Sequence, residues 1–65
     1  MNNNLKRQAA FLRTLRGSDP AQDVAKALHI SESALQAYET GEREPRDEIK
    51  VRIAAYYNVA PGVIF

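Results

Sequence analysis

Ser33, Gln36 and Ala37 place a hydroxyl, a carboxamide and a methyl around Leu35 and Tyr38. If those two apolar side chains face a core, a helical period of 3.6 turns the other three outward together. Hydroxyl, amide and methyl are the groups that pair with base edges in a nucleic-acid groove, although the same residues also suit a plain solvated surface. Just upstream, Ser31 and Ser33 stand where a helix would begin, and free backbone N–H groups and hydroxyls there suit a phosphate or a base edge. Ser31 serves equally as an N-cap, and both roles are compatible. Glu32 fits two roles: acceptor for a cytosine amino group, or first-turn acid stabilising its own helix.

Bond-making chemistry has less support. The 65-residue chain has no Cys and one His, which removes disulfides, thiolate sites and zinc clusters, and no nucleophile, base and acid fall at motif spacing. The expectation is a protein that is not an enzyme, with no catalytic residues, no metal site and no small-molecule cofactor. The longest apolar run, Ile53 to Tyr57, is far short of a membrane span, so a soluble, cytoplasmic protein with no membrane partner is expected. The length fits one small domain over residues 1–65. Net charge is only +1, but its distribution is uneven. Residues 1–16 carry Lys6, Arg7, Arg13 and Arg16 with no acid, whereas 34–48 carry Glu39, Glu42, Glu44, Asp47 and Glu48 against Arg43 and Arg46. That asymmetry suits a basic contact face or an ordinary charged helix surface.

The elements that must position these groups are all helical. Asn2-Asn3-Asn4 offers an N-cap to a stripe of Leu5, Ala9, Leu12 and Leu15, predicting helix 1 over about 4–16. Asp19 before Pro20 reads as an N-cap with proline at the first helical position, and Gln22 completes a capping-box-like pair, so helix 2 spans about 20–28 and buries Val24, Ala25 and Leu28. Ser31 caps helix 3, about 32–40, with Ile30 stapled against Leu35 and Gly41 as the terminator. Ile49, Ile53, Ala54 and Tyr57 define helix 4, about 46–57, and Pro61 opens a short helix, about 61–65. No segment alternates like a strand, and the fold class is all-α: a compact bundle of four to five short helices. Val51, Tyr56 and Val63 fall off the apolar stripes and are candidates for a dimer surface.

Helices 2 and 3, joined tightly, have the helix-turn-helix pattern. Ala25 supplies the small residue at the helix crossing, Val24 and Leu28 flank it, and Leu35 and Tyr38 follow at ten and thirteen residues to seat the second helix. With Leu12, Leu15-Arg16, Ile30-Ser31, the run Tyr38-Glu39-Thr40-Gly41-Glu42-Arg43-Glu44-Pro45 and the downstream Ile53-Ala54, nearly the whole chain resembles the Xre-type and phage Cro and repressor-like DNA-binding domains. The resemblance implies a five-helix, lambda-repressor-like bundle whose third helix reads the major groove. It implies base reading by Glu32, Ser33, Gln36 and Ala37, and phosphate contacts from Gln22, Ser31, Arg43 and Arg46. The two arginines fit ion pairs with Glu42, Glu44 or Asp47 equally well. It also makes Arg16 and Glu39 a structural pair between helices 1 and 3. Three features depart from the family pattern: at the start of helix 2, Pro20 and Ala21 replace the usual Ser or Thr and Gln, with Gln22 as the substitute. His29 takes the turn position usually held by glycine, as a turn residue and not a ligand or base. Glu32 puts an acid where DNA would approach.

The function these features imply is a sequence-specific transcriptional regulator, a repressor, binding a double-stranded DNA operator as a homodimer. The alternative is a protein-binding module of the same fold, an anti-repressor or assembly subunit, suggested by Glu32, Ala21 and the acidic stretch 39–48.

Overall fold

The computed structural model describes residues 3–65, arranged as α1 (Asn3–Arg16), α2 (Ala21–Leu28), α3 (Glu32–Thr40), α4 (Asp47–Tyr56) and α5 (Pro61–Ile64). There is no strand among the described residues. No helix there is long and apolar enough to cross a membrane. The all-α expectation holds, with five helices. Asn3 is already helical, and Asn2 as a cap lies outside the described residues.

Each helix stops for a local reason. Gly17 leaves α1 with φ of 55° while its N–H donates to the Arg13 carbonyl at 3.0 Å, and Arg13 and Arg16 place positive charge against the exposed carbonyls of the last turn. His29 ends α2 in the left-handed conformation, φ 59° and ψ 41°, among the less costly non-glycine choices there. Gly41 ends α3 at φ 81°, and an added Cβ would also lie 3.5 Å from the Leu5 carbonyl oxygen, so the α3 terminus rests on the start of α1. Asn58 takes φ of 58° after α4, and the Val59 N–H returns to the Ala54 carbonyl at 3.0 Å.

One boundary differs in kind from the sequence reading. Pro20, not Asp19, is the N-cap of α2, with no side-chain cap bond. The Pro20 carbonyl accepts from both Asp23 and Val24 N–H at 3.1 Å. Asp19 instead belongs to the turn after α1: its N–H donates to the Arg16 carbonyl at 3.0 Å and its carbonyl accepts from Arg16 Nη1 at 2.7 Å. With proline one place earlier in the helix count, Gln22 falls at the second position and not the third, and the capping-box pair is not made. The bounds of α4 and α5 are each shorter than the sequence reading by terminal residues.

The core gathers Leu12 from α1, Val24, Ala25 and Leu28 from α2, Leu35 and Tyr38 from α3, Ile49 and Ile53 from α4, and Ile64 from α5. α3 packs against both α1 and α2, α4 against α2 and α5, and α5 also meets α1. Burying a leucine side chain such as Leu35 contributes about 1.5–3 kcal/mol, so the inner face of α3 is tightly specified and its outer face is fixed as a result.

Candidate nucleic-acid interface

The surface presented by α2, its turn and α3 is built from the core outward. Leu35 and Tyr38 are buried, leaving Glu32, Ser33 and Gln36 exposed and Ala37 half-buried on the other side of the same helix. Ser31 is extended at φ −73° and ψ 154°, and its Oγ accepts the Ala34 N–H at 3.0 Å. That hydroxyl therefore serves the cap. Gln36 Nε2 donates to Glu32 Oε2 at 3.5 Å, one turn away. The Ser33 side chain has no partner among the described residues.

Gln22 lies exposed in the first turn of α2. Arg43 and Arg46 lie exposed in the connector between α3 and α4, Arg46 at the N-cap of α4 without a side-chain cap bond. The ion pairs the sequence allowed them are not formed among the described residues. Glu44 Oε2 instead meets Lys50 Nζ at 2.7 Å, and Asp47 Oδ1 stands 3.9 Å from the same ammonium. Lys50, with smaller help from Gln8, holds the Glu44 carboxyl below the usual carboxylate range. The Lys50 ammonium also lies 5.6 Å from the Phe65 ring centroid, within cation–π reach. Glu44 of the connector is thus turned toward α4, and the two guanidinium groups are left without a carboxylate.

Behind this surface, Arg16 Nε donates to both Glu39 carboxylate oxygens, at 3.0 and 2.9 Å. Glu39 is only 5% exposed, and its hydrogen bonds raise the Arg16 pKa further above the ordinary guanidinium value. Arg13 Nη1 donates to the Glu39 main-chain carbonyl as well, so α1 holds the end of α3 at two points. Arg52 Nη1 donates to the Leu28 carbonyl at 2.9 Å, satisfying the C-terminus of α2 from α4.

Sequence reasoning missed Arg13, Arg52, Lys50 and the buried Gln8 as members of this framework. Gln8 alone had a local signal, since it sits four residues before Leu12 on the buried stripe of α1.

A family model described as helix-turn-helix matches residues 12–64. No curated protein and no solved structure matches the chain at a significant level.

Proposed function

Because the chain belongs to the Xre and lambda-repressor-like helix-turn-helix family, whose members are DNA-binding regulators, we propose that it represses transcription by holding α3 in the major groove of an operator. The observation that carries this reading is the exposed polar face of α3 flanked by Arg43 and Arg46, two cations with no acidic partner among the described residues. Ser33, Gln36, Ala37 and Glu32 are the base-reading side chains in this account, and Gln22, Ser31, Arg43 and Arg46 engage phosphates.

One such unit covers few base pairs, so selectivity calls for two copies on half-sites about 34 Å apart. The exposed Val51, Tyr56 and Val63 are the apolar side chains available for contact between copies. Part of the acidic stretch that suggested a protein-binding module has other work in this fold, since Glu39 pairs with Arg16, and Glu44 and Asp47 with Lys50.

Binding to a duplex library across a range of salt concentrations tests this reading. Arg43→Ala or Arg46→Ala is expected to weaken binding to all sequences about equally and to reduce the salt slope by roughly one per lost phosphate contact. An unchanged slope in both variants removes them from the phosphate contacts. Sedimentation of the complex is expected to give two chains per operator, and one chain per site excludes the dimer.

A further inference from the structure

The exposed side chains of α3 include no cation. Its sequence, ESALQAYET, contains neither lysine nor arginine, and its outer face offers Glu32, which only accepts, and Ser33 and Gln36, which both donate and accept. The commonest specific major-groove contact, a bidentate donor pair from Arg or Lys to guanine O6 and N7, is therefore not available from this helix. Gln36 is further constrained, because one hydrogen of its Nε2 is directed to Glu32 Oε2 at 3.5 Å. What remains free on that amide is one N–H and the Oε1 acceptor, which match adenine N7 and the adenine N6 amino group. Glu32 retains acceptor capacity for an amino group of cytosine or adenine, and its negative charge opposes the acceptor-only edge of guanine.

Resting on the DNA-binding reading above, we infer that α3 selects bases by their exocyclic amino groups, with Glu32 orienting the Gln36 amide for adenine and disfavouring direct contact with guanine O6 and N7. Glu32 thereby becomes a specificity determinant: the acid that approaches DNA excludes one base edge and aligns the group that reads another.

The experiment uses the full 65-residue chain. A duplex library randomised over about two helical turns is enriched on the protein, and the selected duplex is resynthesised with single-base analogues. Purine in place of adenine, which lacks the N6 amino group, is expected to weaken binding roughly 5- to 150-fold at the position read by Gln36. 7-Deazaguanine in place of each guanine, which removes the N7 acceptor, is expected to leave affinity unchanged. Gln36→Ala, an exposed substitution to the residue most favourable in a helix, is expected to fold and to lose its response to the purine analogue, separating base reading from duplex weakening. Loss of binding with 7-deazaguanine, or indifference of the parent protein to every purine substitution, overturns the inference while leaving DNA binding intact. Failure of any duplex to enrich overturns both.

Discussion

At Arg16, one side chain joins three segments: its Nε holds the Glu39 carboxylate of α3, its Nη1 holds the Asp19 carbonyl, and it closes α1 itself. Removing it strands a buried carboxylate, so Arg16→Ala is expected to cost about 3–5 kcal/mol. Glu39→Ala should destabilise too, and the double variant should cost less than the two singles together. Thermal and denaturant melts of the three variants check this, and simple additivity would refute the coupling. Tyr57 makes a separate case. Its hydroxyl is buried without a hydrogen-bond partner, and burial above all pushes its pKa from 10 to about 12. The fold thus favours the neutral phenol. This contribution is complete below the unfolded value of about 10 and is lost as pH rises toward about 12. Melts across that window should show the parent losing more stability than Tyr57→Phe, which has nothing to ionise. Equal alkaline slopes would show that the phenol is not the titrating group.

At the scale of elements, Ala25 of α2 is 2% exposed within the core that α2 shares with α3. Ala25→Leu is expected to cost about 1–3 kcal/mol by overpacking and to weaken DNA binding beyond that loss, because it tilts α3 away from α2. Melting and duplex titration of the same variant measure the two effects; unchanged binding by the folded fraction would show that this angle does not set the interface. The helix ends show what the sequence made legible. Ser31, His29 and Gly41 act through bonds to neighbours within a few residues, so residue type and spacing were enough to read them. Asp19 and Pro20 stand one place from the sequence expectation because two valid cap patterns overlap there, and the bonds of Asp19 to Arg16, N–H to carbonyl and carbonyl to guanidinium, draw Asp19 into the turn that ends α1. Arg52 on Leu28 and Lys50 on Glu44 join residues whose pairing no local pattern encodes. The outward face of α3 was legible from Leu35 and Tyr38. The freedom of Arg43 and Arg46 from acids was not, since it depends on where Lys50 arrives.

Across the whole molecule, the Cα radius of gyration of 10.5 Å is close to the ~11 Å of a compact chain this long, so the reading surface sits on a small, well-closed bundle. Three braces reach it from behind: Arg16 and Arg13 from α1, Arg52 from α4, and the Lys50 cluster beneath the connector. Arg16 and Arg13 hold the end of α3, whose polar face points away from the core, and the central claim is that this face distinguishes one DNA sequence from another. The direct measurement is the ratio of affinities for the enriched duplex and for random duplex, taken at one salt concentration for the parent protein, Ser33→Ala and Gln36→Ala. Each lost base contact should cost about 1–3 kcal/mol on the enriched duplex and little on random DNA, so the ratio should fall in both variants. A ratio that stays at the parent value in both would contradict the account, because α3 would then not be the element that reads.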